Sequence, residues 1–335
     1  MRVLVTGGGG YIGSVAVEQA IASGYDVAVL DSLWRGHRGA IPPDVPLFDC
    51  DLRDARAVRA AVSEWSPEAI LHFAAATLVP ESMQQPQLYF DINVVGSHNL
   101  IAASLAAGVP RFIFSSTAAT YGDVDVDVIT EETPTNPINP YGRSKLIVEQ
   151  MLEWYCRSNG LHVAVFRYFN VAGASREHGE DHAPETHVIP VALDVIRGRR
   201  PQFTVYGSDY STPDGTCIRD YVHVVDLADA HLLAVDWLKD NDWGVFNLGT
   251  TSGSSVQQII HAVELVTGRT LPVVTGPRRA GDPPRLVASA ERAHSVLGWN
   301  PTRSTLDQMV GSAWSWFERN PDGYAVPGRT QEELD

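Results

Sequence analysis

Lysine is nearly absent from this chain, which has only Lys145 and Lys239 among 335 residues that include 23 arginines. The basic residues number 25 against 40 acidic ones, which gives a net charge of −15. Nucleic acids and anionic membranes are bound by positively charged surfaces, so this balance argues against either partner. A ligand that carries phosphate should therefore be small and held by a few local cations.

Cysteines and long apolar runs are also scarce. Cys50, Cys156 and Cys217 are far apart, odd in number and form no Cys-X-X-Cys motif, so they indicate neither a disulfide framework nor a zinc site. We expect no metal centre. No apolar segment reaches 18 residues, and the chain begins with the short run "VLV" rather than a signal sequence. The sequence predicts a cytoplasmic protein.

Short apolar runs alternate with segments of helical length through the first half of the chain. The runs, each bounded by turn residues, are "VLV", "VAVL", "AILHFA", "FIFSS" and "VAVFRYF". They are typical of strands buried on both faces of a parallel sheet, and the Ala-rich segments between them are typical of crossover helices. The sequence predicts an α/β fold with a doubly wound parallel sheet (Rossmann) and a smaller C-terminal α/β region that binds substrate.

A glycine-rich turn, "VTGGGGYIG", joins the first predicted strand to the first helix and contains Gly7, Gly10 and Gly13. A turn without Cβ atoms lets a pyrophosphate approach the backbone amides and the helix N-terminus. The second strand ends at Asp31, whose carboxylate can accept hydrogen bonds from ribose hydroxyls and would repel the extra phosphate of NADP. Arg35 could neutralise that phosphate, although a surface arginine is the more common meaning. We predict NAD as the cofactor.

Tyr141 stands four residues before Lys145 in "NPYGRSKLIVEQ", so a helix would place both side chains on one face. A phenol with a pKa of about 10 is a poor base at neutral pH, but a fixed ammonium group stabilises the phenolate. This need explains an amine in a chain that otherwise uses arginine. Ser115, Ser116 and Thr117 follow a central strand, at the sheet edge where such folds bind ligands. A solvated helix face and capping hydroxyls are the alternative interpretation.

Several motifs resemble those of the extended short-chain dehydrogenase/reductase superfamily, namely "TGGGGYIG", "HFAA", "SSTAATYG", "YGRSK" and "RYFNVAGA". Later stretches, "DGTCIRDYVHV" and "RRAGDPPRLVAS", are similar to its UDP-glucose 4-epimerase family. The match runs in order from Arg2 to about Trp316. It implies an NAD-dependent enzyme that interconverts UDP-glucose and UDP-galactose through a transient 4-keto sugar, and it suggests a homodimer.

The resemblance also implies roles for individual residues. Tyr141 would be the acid/base, Lys145 its electrostatic and ribose partner, and Thr117 the hydroxyl that holds the reacting oxygen. The implied cofactor contacts are Gly7, Gly10, Tyr11, Ile12, Gly13, Asp31, Asp51, Leu52, Phe73, Ala74, Asn93, Ser115, Tyr141, Lys145 and Tyr168. The implied substrate contacts are Thr117, Asn170, His187, Tyr206, Arg219, Arg279 and Asp282.

Each substrate contact has an implied partner in a UDP-sugar. Asn170, Arg219 and Arg279 would hold the diphosphate, Tyr206 would lie beside the uracil, and Asp282 would bind a ribose. Hydrogen-bonded strand-end residues are an equally good interpretation of Asn93, Tyr168 and Asn170 without the resemblance, and a loop cap is one for Asp51.

Two positions depart from the family pattern. Thr77 stands where some members carry a lysine that reaches the cofactor, which removes one contact. His187 stands where others carry an asparagine, and a backbone or neutral imidazole contact would replace that amide.

Other activities of the superfamily remain open to different degrees. A sugar-nucleotide 4,6-dehydratase would need an acid and a base directly after Thr117, where this chain has Ala118 and Ala119. A uronate epimerase would need a cation for the carboxylate, and the matching "GPRQRP" stretch is absent. Leu286 replaces a bulky tyrosine, which leaves room for the acetamido group of UDP-N-acetylglucosamine. A catalytically silent NAD-binding protein is the alternative of another class.

The regular alternation of strands and helices loosens after Gly173, where "ASREHGEDHAPETH" indicates a surface excursion. We predict an NAD-binding domain over residues 1–173, completed by about 220–248. Residues 174–219 and 249–335 would form the UDP-sugar-binding domain.

Overall fold

Strands and helices alternate along residues 1–279 and 283–324, the part of the chain that the computed structural model describes. The strands are β1 (Arg2–Thr6), β2 (Asp26–Asp31), β3 (Leu47–Asp49), β4 (Ala69–His72), β5 (Arg111–Ser115), β6 (His162–Tyr168), β7 (Asn170–Ala172), β8 (Phe203–Tyr206), β9 (Ile218–Arg219), β10 (Tyr221–His223), β11 (Trp243–Leu248), β12 (Ser254–Ser255), β13 (Val273–Gly276) and β14 (Arg285–Leu286). The α-helices are α1 (Tyr11–Ala22), α2 (Ala55–Trp65), α3 (Val79–Gln84), α4 (Pro86–Tyr89), α5 (Gly96–Ala106), α6 (Pro140–Asn159), α7 (Val188–Ile196), α8 (Val224–Trp237), α9 (Val256–Thr267), α10 (Glu291–Leu297) and α11 (Leu306–Arg319). A π-helix spans Phe90–Val95, and 3₁₀ turns span Arg38–Ala40 and Ala118–Thr120. None of these helices is both long and apolar enough to cross a membrane.

Seven strands form the central sheet in the order β11-β6-β5-β4-β1-β2-β3, and every neighbouring pair is parallel. Side chains of β1 alternate between the two faces, so Val3 and Val5 pack into one apolar layer and Leu4 into the other. Because β1 has β2 on one side and β4 on the other, the strand order reverses there. The predicted doubly wound parallel sheet is confirmed, and this reversal is where such sheets bind ligands.

A second, smaller core lies beyond the sheet and is built around α7, α9 and α11. Leu193, Ile259 and Trp316 are buried in it. The parallel pair β8 and β13 adds Phe203 and Val205 to the same core. The chain thus has the smaller C-terminal α/β region that the sequence predicts.

Helix α10 belongs with the first core rather than the second. Ala293 and Leu297 pack in the apolar layer that also holds α8 and one face of the central sheet, and Trp299 donates its indole N–H to the carbonyl of Asp226 at 2.7 Å. The sequence prediction had assigned this segment to the second domain. The difference arises because the apolar residues of α10 pack in the first core, although the preceding helix α9 packs in the second.

The polar segment after Gly173 is more buried than a surface excursion would be. His178 and Glu180 are buried, and the indole of Trp316 donates a hydrogen bond to the carbonyl of Glu177 at 3.3 Å. The Tyr324 hydroxyl donates to the carbonyl of Gly179 at 3.2 Å. The prediction of a surface excursion thus holds for exposed residues such as Arg176, Ala183 and Pro184, but not for residues 178–180, which aromatic side chains near the end of the described chain cover.

Candidate active site

A cavity of about 840 Å³ opens at the carboxyl edge of the central sheet, where the strand order reverses. It brings together the glycine turn and the surroundings of Tyr141, which the sequence analysis treated as two sites. The predicted residues on its wall are Gly7, Gly10, Tyr11, Ile12, Gly13, Asp31, Asp51, Leu52, Phe73, Ala74, Ser115, Thr117, Tyr141, Lys145, Tyr168, Asn170, His187 and Arg219.

The glycine turn leaves no space for side chains. Gly7 has φ +75°, and a Cβ atom there would lie 2.6 Å from the backbone nitrogen of Ala74. A Cβ atom at Gly13 would lie 2.1 Å from the carbonyl oxygen of Gly7. Helix α1 begins at Tyr11 after Gly10, which has no side chain to cap it, so amide hydrogens of the first turn remain for an anion. The turn fits a pyrophosphate.

Asp31 lies at the end of β2 and is held in place by the backbone. One carboxylate oxygen accepts the N–H of Gly9 at 2.9 Å, and the other accepts the N–H of Leu33 at 2.8 Å. Burial raises the pKa of Asp31, and these two hydrogen bonds oppose the rise. The carboxylate lines the cavity with its remaining lone pairs, as a ribose acceptor must.

Arg35, which the sequence analysis left open as a partner for a 2′-phosphate, is engaged elsewhere. Its guanidinium lies 2.6 Å from the Glu81 carboxylate and 4.2 Å from the centre of the Trp34 ring. The pair neutralises the arginine charge beside Asp31, so this wall favours NAD over NADP.

Asp51 lies on the same wall, and its carboxylate is held by Arg53. The guanidinium donates to both carboxylate oxygens, with a shortest distance of 2.6 Å, and this contact lowers the pKa of Asp51. The backbone N–H of Arg53 donates to the same carboxylate at 2.8 Å, so Asp51 also fixes the turn in which it lies.

Thr117 and Tyr141 meet across the cavity wall. Thr117 follows β5, whereas Tyr141 is the second residue of α6, whose start is fixed by Pro140 and by Asn139, which caps Gly142 N–H at 2.8 Å. Both side chains line the cavity. Burial raises the pKa of Tyr141, and hydrogen bonding by the Thr117 side chain opposes the rise.

Lys145 lies one helical turn after Tyr141 and is only 3% exposed. Its Nζ donates to the carbonyl of Ser115 at 2.9 Å and lies 5.0 Å from the centre of the Phe114 ring. Burial lowers the pKa of Lys145 to about 7, and the nearby Glu149 carboxylate opposes the shift. The amine is therefore fixed at the carboxyl end of β5.

A buried ion pair lies behind this lysine and was missed by the sequence analysis. Glu149 accepts two hydrogen bonds from Arg167, at 2.5 and 3.0 Å, and a third from the Ser116 hydroxyl. The four-residue spacing of Lys145 and Glu149 on α6 is the signal that could have found it. The partner on β6 has no such signal.

A comparison with models of known protein families shows to which family the chain belongs. A model described as the NAD dependent epimerase/dehydratase family matches residues 3–249. The chain belongs to this family. The family's cofactor fits the glycine turn, which side chains would block, and the carboxylate of Asp31 at the end of β2.

Members of the epimerase/dehydratase family with known names are similar along nearly the whole chain. A protein of Lacticaseibacillus casei named UDP-glucose 4-epimerase is 46% identical over 327 residues, which cover 97% of this chain and 99% of that protein. A solved structure called UDP-glucose 4-epimerase is 47% identical with a TM-score of 0.95, covering 97% of this chain and 100% of its own. The UDP-glucose 4-epimerase of Brucella ovis, solved in complex with NAD, is 43% identical with a TM-score of 0.92, covering 94% and 98%.

Asn93 is placed behind the cavity wall rather than on it. Its side-chain oxygen accepts the N–H of Ala76 at 2.8 Å, and its amide nitrogen donates to the Ala76 carbonyl at 3.0 Å and to the Ser144 hydroxyl at 2.9 Å. These bonds join the π-helix to the loop after β4 and to α6. In this member of the family Asn93 is thus placed to position two wall segments.

Tyr168 and Asn170 are on the wall, and both are anchored. The Tyr168 hydroxyl hydrogen bonds to the Ser115 side chain, and Asn170 donates to the Asp220 carbonyl at 2.9 Å. Arg219, on β9, also lines the cavity and donates to the Ile218 carbonyl at 2.7 Å.

Tyr206 and Arg279 form a stacked pair that is not part of the cavity wall. The Arg279 guanidinium lies 4.2 Å from the centre of the Tyr206 ring, which is at the end of β8. Asp282 lies outside the described residues. The structure therefore brings the predicted diphosphate contacts Asn170 and Arg219 to the cavity but not Arg279.

His187 is on the wall, where its ring lies against two carboxylates. Its Nδ1 lies 2.6 Å from a carboxylate oxygen of Glu180 and 3.0 Å from one of Glu185. Glu180 raises the pKa of His187 to about 11. The backbone or neutral imidazole contact of His187 to the substrate stays a prediction.

Leu286 and Thr77, the two uncertain positions, also line the cavity. Leu286 is half-buried on β14, directly across from Arg219 in the parallel register. Thr77 follows β4 and is exposed to the cavity.

Proposed function

We propose that this chain is an NAD-dependent 4-epimerase that interconverts UDP-glucose and UDP-galactose through a transient 4-keto sugar. The presence of Thr117, Tyr141 and Lys145 on the wall of the same cavity as the glycine turn is the observation that carries the proposal. The names of relatives that are 46% and 47% identical support the choice of sugar nucleotide.

Tyr141 removes the proton of the sugar's C4 hydroxyl, and the Thr117 hydroxyl on the same cavity wall orients the reacting oxygen. Lys145, fixed on the Ser115 carbonyl, places its amine one helical turn from the phenol. The glycine turn and Asp31 would hold NAD, which when bound would supply the acceptor and donor for the C4 hydride. The 4-keto sugar must then turn in the cavity so that the hydride returns to the opposite face of C4, and Tyr141 returns the proton to the C4 oxygen, which completes the inversion.

The substrate diphosphate is proposed to lie beside Asn170, His187 and Arg219. All three line the cavity, and Arg219 supplies a cation. A nearby cation is needed to bind the anionic diphosphate because the chain as a whole is acidic. Tyr206, Arg279 and Asp282 remain proposed contacts of the uridine end.

Two domains are proposed to divide the work. Residues 1–173, completed by 220–248, bind NAD; residues 174–219 and 249–335 bind the UDP-sugar. The pairing of β11 with β6 supports the first assignment, whereas α10 packs with the first core and is an exception to the second.

A homodimer that works in the cytoplasm, in galactose metabolism, is also proposed. Helix α6 presents Trp154, which is 65% exposed, on the side away from the buried Lys145. A large exposed aromatic on a long helix is typical of an interface. Sedimentation of the purified chain measures this directly, and a monomer at micromolar concentration would contradict it.

UDP-N-acetylglucosamine is the second candidate substrate, and Leu286 is the observation that favours it. A half-buried leucine on the cavity wall leaves more room than a tyrosine would. Dehydration is not favoured, because Ala118 and Ala119 carry no proton donor or acceptor directly after Thr117. A uronate substrate has no specific observation in its favour.

The test is to incubate purified chain with UDP-galactose and no added reductant, and to follow the sugar by NMR. We expect conversion to a mixture with UDP-glucose. Release of a 4-keto-6-deoxy sugar, or no reaction while NAD is bound, would overturn the proposal and leave a dehydratase or a silent NAD-binding protein. UDP-N-acetylgalactosamine and UDP-galacturonate, compared by kcat/KM, test the alternatives.

A further inference from the structure

Four potential metal ligands converge on the cavity wall, just before α7. They are Glu180, His182, Glu185 and His187, and one ligand atom from each lies within 4.8 Å of the others. Glu180 is 5% exposed. Two carboxylates that meet with so little solvent need two positive charges to balance them.

The distances within this cluster suit a single small cation. His187 Nδ1 lies 2.6 Å from Glu180 and 3.0 Å from Glu185, whereas His182 Nδ1 lies 3.0 Å from Glu180 and 4.0 Å from Glu185. Four ligands bound tetrahedrally to Zn²⁺ lie about 3.2–3.6 Å apart. The observed distances fall on both sides of this range, so small side-chain shifts would make room for the ion.

Surrounding groups hold the ligands in place. One Glu185 oxygen accepts the backbone N–H groups of Thr186 and His187, each at 2.7 Å. The ring of His182 packs edge-on against Tyr11, with 6.3 Å between ring centres. Such outer contacts orient the ligands of metal sites.

We propose that Glu180, His182, Glu185 and His187 bind one divalent transition-metal ion of the Zn²⁺ type. Two imidazoles with two carboxylates suit Zn²⁺, whereas Ca²⁺ and Mg²⁺ prefer oxygen ligands alone. A divalent ion supplies both charges that the carboxylates need. It joins Glu180 to His187, the residue that precedes α7, and so fixes this part of the cavity wall.

Zn²⁺ itself is the probe. The full chain, without an affinity tag and with its NAD retained, is treated with a chelator, dialysed against buffered Zn²⁺ and analysed for metal content, and its affinity is measured by calorimetry. We expect about one Zn²⁺ per chain. His182→Ala should bind at least about 100-fold more weakly, because loss of outer contacts alone costs 10–100-fold.

The matched control is His98→Ala, which removes an exposed histidine of α5 outside the cluster and should bind Zn²⁺ as the parent does. Added Zn²⁺ should raise the Tm of the parent and of His98→Ala but not that of His182→Ala. If His182→Ala fails to fold, Glu185→Gln decides in its place. A parent chain that retains no Zn²⁺, or cluster variants that bind as tightly as the parent, would overturn the proposal and leave a hydrogen-bonded network of histidine and glutamate. This test is independent of epimerase activity.

Discussion

The guanidinium of Arg35 pairs with the carboxylate of Glu81 at 2.6 Å, on the cavity wall that also holds Asp31. The Glu81 carboxylate thus compensates the charge of Arg35 on that wall. We predict that cofactor choice depends on two carboxylates, that of Asp31 as the acceptor for a ribose and that of Glu81, which engages the arginine.

Glu81→Gln should release Arg35 and strengthen the binding of NADP relative to NAD by about fivefold, since a partly exposed ion pair contributes roughly 1 kcal/mol. The ratio of dissociation constants, measured by fluorescence titration, reports the change. The double variant with Arg35→Ala should lose the gain. An unchanged ratio in Glu81→Gln would show that Arg35 does not reach the ribose.

Tyr141→Phe should retain NAD and lower kcat by about 10²–10⁴, the usual contribution of a general acid/base. The matched control is Tyr155→Phe on the same helix, whose hydroxyl has only a 3.5 Å contact with His98. It should leave kcat near the parent value. Turnover of Tyr141→Phe at the parent rate would remove the acid/base role.

Lys145 should make stability depend on pH. Its pKa is about 7 in the folded chain and near 10.5 when unfolded, so between these values the unfolded chain binds more protons and stability rises with pH. Relative to Lys145→Met, the parent should gain about 2–3 kcal/mol from pH 7 to pH 9 in urea unfolding, measured without added NAD.

The control for this titration is Lys239→Met. Lys239 pairs with Asp236, which raises its pKa above the unfolded value, so its contribution is complete below pH 10 and constant from pH 7 to pH 9. A parent curve parallel to that of Lys145→Met would mean that Lys145 stays charged throughout this range.

Arg167→Met should destabilise the chain by about 3–5 kcal/mol, because it leaves the Glu149 carboxylate buried without its partner. The two side chains are 8% and 5% exposed. Arg157→Met breaks the pair with Glu153 on the surface of the same α6 helix and should cost less than about 1 kcal/mol. Urea unfolding at saturating NAD measures the free energy of unfolding of both variants. Equal losses would show that the buried pair stabilises the chain no more than the surface pair does.

Leu286→Tyr should lower kcat/KM for UDP-N-acetylgalactosamine by about tenfold or more and change that for UDP-galactose little, because added bulk on the wall excludes the acetamido group. Leu286→Met, which preserves the volume, is the control. Equal losses for both substrates would place Leu286 away from the C2 substituent.

The parts of the site that could be predicted depend on short spacings along one element. The glycine turn and Asp31 belong to one strand-helix-strand unit, and Tyr141 and Lys145 share one helix, so periodicity alone brings each set together. The pairing of Arg35 with Glu81 joins residues 46 positions apart, and no local pattern indicates it.

Asn93 is a residue whose role the sequence could not decide. An amide near a cofactor-binding strand fits a ligand contact and a buried structural bond equally well, and only the hydrogen bonds to Ala76 and Ser144 distinguish the two. The four residues of the His/Glu cluster lie in the stretch "GEDHAPETH". Because this segment is irregular, no helical or strand period predicts that their side chains come together. Its burial depends on distant aromatic side chains such as Trp316.

The position of β11 also has a consequence for synthesis. This strand pairs with β6 at the edge of the central sheet, yet it comes some eighty residues later in the chain. While the ribosome delivers the intervening segment, β6 has an unpaired edge, and such edges join to other chains. A nascent chain that stalls before Trp243 should therefore aggregate, and chaperones that cover strand edges would matter most in that interval.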